Sequence, residues 1–502
     1  MPGTAIEESS TGTVDAGTAH AVIDDAARAE EAWARGDAVA AIDAADRALA
    51  TGSDPGARAA GVAAAAAAAD GALLDAAGRW RGISGVLDAD SAPSAVAAWA
   101  AARAALLAAL AGDVDAGADD LAAAHVRLPD PAPRGLTVLL DGAEAGLDAL
   151  RGAVEPAARR LAGLAATTVP ADPLAPEQWG ELAAAVAAAG GHERAARAML
   201  DPVPGSRPTT RQRLLAAWLD LRAGRLSTAR EALADVGGRP VLRRNAVLAA
   251  AVGVGLARRS GDTAALAATW HRVVPVMAGA DIELFLVDAW GELSVGAALV
   301  ADDSADLPGA IAAAVTSAGS PWWAVASQRW WELERAVAAD DAAGAGAAAG
   351  PLTALAADHP VLRVRADAAA AWAAVLAGRV DPGTLDGVAA ALDAAGRPWE
   401  AGQLCRAAAA RAGTPAVARA LLETGRRLRP ARGPRRAAGS DELSDREREV
   451  GALVVDGLTH KEIGARLYIS PKTVEQHVAR LRQKLVVATR ADLVAALRAR
   501  IT

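Results

Sequence analysis

Residue types that build many common folds and sites are scarce in this 502-residue chain. Aromatic residues make up 3%, and there is one cysteine, Cys405. Sheet sandwiches and barrels are built largely from β-branched and aromatic side chains, so the composition disfavours both. A lone cysteine excludes an internal disulfide and every multi-cysteine metal site. It predicts a small buried thiol in a reducing compartment, and hence a cytoplasmic protein.

The motifs of familiar catalytic and metal sites are also missing. A phosphate-binding P-loop needs a lysine, and the first lysine of this chain is Lys461. The seven histidines show no spacing that would place two metal ligands on one helix face. No Gly-x-Ser-x-Gly turn presents a nucleophile. We therefore expect no enzyme, no metal site and no cofactor.

The sequence also offers no membrane span. Its longest uncharged stretch, residues 307–328, contains Pro308 and Pro321, which interrupt a helix. Residues 1–17 lack the basic and apolar regions of a secretory signal, so they are expected to be a disordered leader. No membrane partner is predicted.

What the chain has in abundance is alanine, in long amphipathic stretches separated by turns that contain glycine. These turns lie at Gly36, Gly112, Gly152, Gly191, Gly224 and Gly261. From Gly112 the steps are 40, 39, 33 and 37 residues, close to the ~34 of a helix–turn–helix repeat. Residues 29–37, AEEAWARGD, resemble a tetratricopeptide repeat. Residues 18–425 are thus predicted to form a tetratricopeptide-like solenoid, with an irregular alanine-rich bundle as the alternative; both are all-α.

Thirteen tryptophans interrupt this small-residue background. Trp322 and Trp323 lie seven to eight residues before Trp330 and Trp331, which places the two pairs on one side of a helix. Two interpretations stay open. The rings fill the core where a repeat is irregular, or they line a pocket for a ligand or partner on the concave side of the solenoid.

Charge is divided unevenly along the chain. Residues 426–502 contain 17 lysines and arginines against 9 acidic residues, whereas residues 1–425 contain 35 against 51. Between the two parts, residues 426–440 are rich in arginine, proline and glycine, which predicts a linker. A basic end on an acidic body favours nucleic acid as the partner of residues 441–502.

That basic end contains four helix starts in quick succession. Ser444 with Glu447 and Thr459 with Glu462 form capping boxes, Pro471 follows Ser470, and Thr489 precedes the last helix. The helices are predicted over 445–456, 460–467, 471–485 and 490–500, with Gly457 ending the first. The turn over 468–470 is short enough for helix-turn-helix geometry.

The third of these helices has two contrasting faces. Val474, Val478, Leu481 and Leu485 form one apolar stripe. The opposite face carries Lys472, Glu475, Gln476 and Arg480, whose groups suit base edges in the major groove. His477, Arg480 and Lys484 are in reach of phosphates, with Thr473 at the helix N-terminus.

The segments LSDREREV (443–450), GLTHKEIG (457–464) and ISPKTV (469–474) resemble the LuxR-type DNA-binding domain. The resemblance covers about 60 residues. It implies base-reading positions for Lys472, Glu475 and Gln476. It also implies DNA-backbone positions for Thr473 and His477, to which we add Arg480, Lys484 and Lys461. The last helix, with Thr489, Leu493 and Leu497, is implied as the contact between two copies.

The sequence therefore predicts a bacterial transcription regulator that binds double-stranded DNA as a homodimer. The helical-repeat body would sense an unknown ligand or protein partner, and RNA polymerase is a further expected partner. The alternative is an interaction scaffold whose helix-turn-helix contacts RNA polymerase or another protein and not a specific operator.

Overall fold

The structure is a computed structural model of the chain. It describes residues 16–35, 37–49, 55–87, 95–167, 178–201, 207–236, 242–302, 306–428, 445–467, 471–485, 487 and 490–501. These residues form α-helices, two 3₁₀ turns and connecting loops, with no strand among them. The predicted all-α class is confirmed.

Twenty-two α-helices precede residue 428. They are α1 (Ala16–Ala34), α2 (Ala38–Leu49), α3 (Pro55–Ala69), α4 (Leu73–Leu87), α5 (Ala95–Ala111), α6 (Val114–Val126), α7 (Arg134–Leu150), α8 (Val154–Ala165), α9 (Trp179–Ala189), α10 (Glu193–Met199) and α11 (Thr210–Arg222). They continue with α12 (Leu226–Val236), α13 (Arg243–Ser260), α14 (Thr263–Met277), α15 (Val287–Val300), α16 (Leu307–Ser317), α17 (Trp322–Ala338), α18 (Ala342–Asp358), α19 (Arg363–Leu376), α20 (Pro382–Ala394), α21 (Pro398–Ala410) and α22 (Pro415–Arg427). Four more follow: α23 (Asp445–Val455), α24 (His460–Leu467), α25 (Pro471–Leu485) and α26 (Arg490–Ile501).

The first 22 helices pack as consecutive hairpins, from α1 with α2 to α21 with α22. Helices of odd number also pack on one another, as α11 does on α13, α13 on α15 and α15 on α17. Each hairpin therefore buries a face against the next one. This is the stacked arrangement of a helical-repeat protein, as the sequence predicts.

The turn inside most hairpins has one residue in the left-handed region of backbone conformation. These residues are Gly71, Gly112, Gly152, Gly191, Gly224, Gly261, Ala301, Asp340 and Gly378. The turns predicted from Gly112 to Gly261 are confirmed, and Gly36 lies outside the described residues. The repeat continues beyond Gly261, where alanine and aspartate replace glycine at two of the turns and conceal the period from the sequence.

An aspartate directly after the turn residue begins the second helix of several hairpins. The side chain of Asp113 accepts a hydrogen bond from the N–H of Ala116 at 3.1 Å, and Asp262 accepts from Ala265 at 3.0 Å. Such N-caps satisfy an otherwise unpaired N–H of the first helical turn. The glycine–aspartate pair thus ends one helix and starts the next.

The array curls back on itself, so that its early turns contact its later half. The N–H of Asp281 donates to the carbonyl of Gly71 at 2.9 Å. The indole N–H of Trp322 donates to the carbonyl of Gly152 at 3.1 Å. A Cβ at Gly112 would lie 3.1 Å from the side chain of Leu284. The turns after α3, α5 and α7 therefore contact residues of the second half of the body directly.

The core is built mostly from alanine and leucine, as the composition predicts, and the large rings lie over glycines. Trp179 packs on Gly142, and Trp331 packs on Gly291, where a Cβ would overlap the indole. Cys405 is completely buried and unpaired, as predicted, and burial raises the pKa of its thiol. Close helix approach thus depends on the smallest residues at these positions.

The chain divides into two compact units, residues 1–429 and 430–502. Helix α22 runs to Arg427, so the first residues of the linker predicted over 426–440 are helical. Residues 429–444 lie outside the described part, as do residues 1–15 of the predicted leader. No helix among the described residues is long and apolar enough to cross a membrane.

Candidate nucleic-acid interface

The unit of residues 430–502 has an apolar core of its own. Its buried members are Val450, Val454, Ile463, Val474, Val478, Leu481, Leu493 and Leu497. All four helices α23 to α26 contribute to this set. Because the core closes within these helices, the unit has what an independently folding domain needs.

Two of the predicted helix ends are confirmed. The N–H of Thr459 donates to the Glu462 carboxylate at 2.8 Å, and the N–H of Glu462 donates back to the Thr459 hydroxyl at 3.4 Å. The Thr459 N–H and hydroxyl lower the pKa of Glu462. Gly457 has φ +85°, and the N–H of Leu458 donates to the carbonyl of Leu453 at 3.1 Å. Helix α23 thus ends and α24 begins within four residues.

The structure does not describe the residues of the turn from α24 to α25 or of the remaining predicted caps. Ser444, residues 468–470 and Thr489 lie outside the described part. Helix α24 ends at Leu467 and α25 begins at Pro471, as predicted. The two helices pack directly on one another. The order and packing of α24 and α25 therefore agree with a helix-turn-helix.

Helix α25 has the predicted apolar stripe. Val474, Val478 and Leu481 are buried in the core and Leu485 is half-buried. Glu475 and Ala479, which lie about 100° further around the helix, are exposed. The face of α25 that carries the predicted base-reading residues is therefore turned away from the core.

The predicted DNA contacts concentrate on this helix. Lys472, Glu475 and Gln476 are spaced i, i+3 and i+4, so they share one face. Among them the structure describes the side chain of Glu475. Thr473, Arg480 and Lys484 also lie on α25, with side chains outside the described part. Their positions, but not their contacts, are therefore given by the fold.

Two predicted DNA-backbone residues have described side chains. Lys461 is exposed on α24. His477 is half-buried, and its Nδ1 atom is buried without a hydrogen-bond partner among the described residues. A buried imidazole nitrogen without a hydrogen bond costs free energy, unless a bound group supplies the hydrogen bond.

The predicted contact between two copies through Leu493 and Leu497 is wrong for these residues. Both side chains have no exposed surface because they pack in the core of their own unit. A side chain without accessible area has none to bury against a second copy. On α26, Asp492 and Arg498 are exposed and Val494 is half-buried, while Thr489 lies outside the described part.

The predicted pocket of tryptophans in the body is likewise wrong, and the core interpretation holds. Trp323, Trp330 and Trp331 are buried. The indole N–H of Trp323 donates to the carbonyl of Ala149 at 2.9 Å, and Trp322 stacks on His359 with ring centres 4.2 Å apart. Trp322 and Trp323 thus contact the turn after α7, and the described rings of this helix pack in the body and do not line a pocket.

Sequence analysis missed a line of buried carboxylates at the centre of the body. Glu283, Asp288 and Glu292 lie on and just before α15, and all three are buried. Glu283 accepts from Arg211 and from Arg244, the latter at 2.8 Å. Partners from helices far apart in sequence therefore meet on one central helix.

The other two carboxylates bind arginines in the same way. Asp288 accepts from Arg222, from Arg365 at 3.4 Å and from the indole of Trp331 at 2.8 Å. Glu292 accepts from Arg258 at 2.6 Å and from Arg259 at 3.0 Å. Hydrophobic periodicity gives no sign of such ion pairs, because the arginines lie on other helices than the carboxylates, chiefly on α11, α13 and α19.

These arginines keep the carboxylates ionised. Glu193, at the start of α10, joins the network by accepting from Arg222 at 2.9 Å and from Arg397 at 2.6 Å. Burial alone raises the pKa of a carboxyl group, but the nearby guanidinium groups reverse the effect for Glu193, Glu283 and Glu292 and lower each pKa to about 2. The pKa of Asp288 is lowered for the same reason. Burial, and then Arg397, lower the pKa of Arg365 to about 10. These four carboxylates and Arg365 are therefore charged at neutral pH, and their ion pairs are structural in character.

Comparison with known proteins gives the C-terminal unit its class. Residues 441–497 match the family described as bacterial regulatory proteins, luxR family. The spore germination protein GerE of Bacillus subtilis is 48% identical over 52 residues, which are 10% of this chain and 70% of that protein. The chain belongs to the luxR family of bacterial regulatory proteins. Its C-terminal domain is a LuxR-type helix-turn-helix DNA-binding domain.

Other relatives match over similarly short stretches. An HTH-type transcriptional regulator of Mycobacterium bovis is 44% identical over 79 residues, which are 16% of this chain and 8% of that protein. The transcriptional regulatory protein UhpA of Salmonella typhimurium is 47% identical over 58 residues, 11% of this chain and 30% of that protein. The chain thus covers a small part of the length of these relatives.

For the body, the solved TPR domain of P58(IPK) aligns over 81% of this chain and 98% of that structure. The identity is 15% and the TM-score 0.25. The repeat of the body is evident in the stacked packing of its own hairpins.

Proposed function

We propose that this protein is a transcription regulator that binds an inverted repeat of double-stranded DNA as a homodimer. The observation that carries the proposal is the luxR-family match over residues 441–497, on a unit whose α25 turns its polar face away from the core. The excess of 17 basic over 9 acidic residues in positions 426–502 supports it.

The proposed binding mode places α25 in the major groove. Lys472 donates to guanine, Gln476 pairs with adenine, and Glu475 accepts from the amino group of cytosine. Lys461, Thr473, His477, Arg480 and Lys484 contact phosphates and hold the helix in register. Two copies on one side of the duplex would read half-sites about one helical turn apart.

The contact between the two copies is assigned to the exposed part of α26. Leu493 and Leu497 hold that helix on its own core, and Asp492, Val494 and Arg498 lie at its surface. Residues of both charge signs and an aliphatic side chain suit a small, self-complementary contact. Binding to adjacent half-sites would then stabilise a contact that is weak off DNA.

The body is proposed to control this domain. Residues 1–425 carry 51 acidic against 35 basic residues, so the body repels DNA and attracts a basic surface. We infer that occupancy of the body by a ligand or protein partner changes how far it competes with DNA. RNA polymerase is the proposed partner once the regulator is bound, and the cytoplasm is the proposed compartment.

The test measures binding of the purified full chain to DNA across a salt series. For Lys461→Ala we expect affinity to fall by a similar factor on every sequence and the salt slope to decrease by about one. For Gln476→Ala we expect a loss of about 1–3 kcal/mol on the selected site alone. Arg419→Ala, an exposed change on α22, is the control and should alter neither quantity.

The interaction-scaffold alternative predicts a different outcome. A helix-turn-helix that contacts RNA polymerase or another protein would show no selected DNA sequence and no effect of Gln476→Ala on DNA. Sequence-independent, weak binding by all variants would contradict the proposal.

A further inference from the structure

The body contains a cleft of about 460 Å³ among the ends of its later odd-numbered helices. Its walls come from α13, α15, α17, α19 and α21, together with the start of α14. Apolar side chains form most of the surface: Leu266, Val295, Leu299, Val337, Trp372 and Leu376. Cavities of a few hundred Å³ with apolar walls are typical of small-molecule sites.

One side of the cleft is rigid and aromatic. The ring of Trp399 contacts two guanidinium groups, whose central carbon atoms lie 4.8 Å (Arg258) and 4.6 Å (Arg259) from the ring centre. Arg259 and Arg258 are held in turn by Glu292. The central ion network therefore fixes a flat apolar wall in place before any ligand arrives.

The charged groups of the cleft favour an anion. Arg258, Arg406 and Arg411 line it, against two carboxylates, Asp262 and Glu334. Arg258 is held by Glu292 and Glu334, so Arg406 and Arg411 supply the remaining positive charge of the lining, against Asp262. Asp262 caps α14 through the N–H of Ala265, and Glu334 accepts from Arg258 at 2.9 Å. Arg411 pairs with the exposed Asp340, a contact that solvent weakens and that a ligand anion can replace.

The cleft is also open to solvent. Leu299 is 43% exposed, which is unusual for a leucine of a densely packed repeat, and Arg406 and Ala338 are exposed at the rim. When an apolar group covers an exposed apolar side chain at the mouth of a cavity, apolar surface is removed from water, and this favours binding.

We propose that this cleft binds a small organic anion with an apolar, ring-sized body. The apolar part packs against Trp399, Trp372 and Leu299, and the anionic group meets Arg406 and Arg411. This deepens the proposed function by naming the class of ligand that the body senses, and its regulatory meaning rests on that function. Binding of the anion to the cleft does not depend on that function.

The test uses two probes with the same aromatic body, added to the full chain. 1-Anilinonaphthalene-8-sulfonate carries an anionic group, and N-phenyl-1-naphthylamine lacks it. Probe fluorescence should saturate at one site per chain, with the sulfonate bound at least about tenfold more tightly than the neutral probe. The assay contains no DNA, so it can succeed or fail independently of operator binding.

Matched variants locate the site. Leu299→Asp places a carboxylate at the cleft and should weaken the sulfonate at least about tenfold. Val126→Asp makes the same type of change at an 83% exposed position in the last turn of α6 and should have no effect. Arg411→Gln should weaken the sulfonate about fivefold while leaving the neutral probe unchanged.

Two results would overturn the inference. If Leu299→Asp and Val126→Asp weaken binding equally, or if neither weakens it, the probe does not bind in this cleft. Equal affinity of the two probes for the unmodified chain would remove the anion from the assignment. Near-ultraviolet circular dichroism of each variant checks that the tertiary packing of the tryptophans is retained.

Discussion

Asp288 shows how single side chains connect remote parts of the body. It lies at the start of α15 and receives Arg222 from α11, Arg365 from α19 and the indole of Trp331 from α17. Removing two or more charges from water is expensive, and the hydrogen bonds on all sides of the carboxylate offset that cost. Such a residue matters to stability mainly because its loss leaves buried guanidinium groups without this counter-charge.

The change Asp288→Asn tests this role. The amide keeps an acceptor for Trp331 but removes the charge facing Arg222 and Arg365, so we expect a loss of about 3–5 kcal/mol in the free energy of unfolding. Urea denaturation followed by tryptophan fluorescence measures it. Asp148→Asn, at a carboxylate whose side chain is 41% exposed, should change stability by less than about 0.5 kcal/mol. Equal effects of the two changes would show that burial of the pair does not matter.

A second residue-scale prediction concerns the glycines beneath the tryptophans. Gly291→Ala places a methyl group within the ring of Trp331 on a helix that is buried all around, so we expect destabilisation of about 1–3 kcal/mol. Gly346→Ala, on α18 with no atom within 4 Å of the new Cβ, should instead stabilise by about 0.5–1 kcal/mol. Thermal unfolding of both variants decides, and stabilisation by the first would refute the packing argument.

At the scale of elements, the hairpin turn explains both what the sequence reveals and what it conceals. Glycine at Gly112 or Gly261 marks a left-handed turn residue, and the following aspartate marks a helix start, so those repeats can be predicted. Ala301 and Asp340 adopt the same backbone conformation without the residue type that signals it. The regular spacing of turn glycines therefore cannot be followed in the sequence beyond Gly261. Nothing local distinguishes these residues from the helical alanines and aspartates around them.

The concealed turn at Ala301 gives the third prediction. An alanine at φ +53° carries a steric cost of roughly 1–2 kcal/mol, which glycine lacks. Glycine is also more flexible in the unfolded chain, which offsets part of the relief of this steric cost. Ala301→Gly should therefore stabilise the protein by about 0.5–1 kcal/mol. Ala298→Gly, an exposed change in the helical last turn of α15, should destabilise by about 1 kcal/mol. A lower melting temperature for both would argue against the left-handed turn.

At the scale of the whole molecule, the charge division and the two compact units describe the same organisation. The LuxR-type domain could be predicted because its caps, stripe and basic face all occur within about 60 residues. The ion network and the curled array could not, because Glu193 meets Arg397 across 204 residues of sequence. The dimer assignment of Leu493 and Leu497 failed for a related reason: periodicity shows which face is apolar but not whether it packs inside its own domain.

The ion network also predicts how stability depends on pH. The pKa values of Glu193, Glu283 and Glu292 are about 2 in the folded body and that of Asp288 is also lowered, whereas carboxyl groups of an unfolded chain titrate near 4. The unfolded state therefore binds more protons between these values, and stability is lost as pH falls from about 5 to about 2. Glu334, whose pKa burial raises, opposes this trend.

All thirteen tryptophans lie in residues 33–399, so their fluorescence reports on the body alone. Acid titration should show a cooperative change in that emission below about pH 4, and it should occur at higher pH in Asp288→Asn. Emission that is unchanged down to pH 2 would contradict the assigned pKa directions.

Sequence-specific DNA binding by α25 can be measured by selecting genomic DNA fragments with purified protein and sequencing them. The full chain, residues 430–502, and residues 430–502 carrying Lys472→Ala, Glu475→Ala and Gln476→Ala together are compared at matched salt. We predict a shared inverted repeat, with half-sites about one helical turn apart, recovered by residues 430–502 and lost in the triple variant. Recovery by the full chain as well would show that the body leaves the domain free. No enriched sequence with either the full chain or residues 430–502, or the same repeat with the triple variant, would contradict the account.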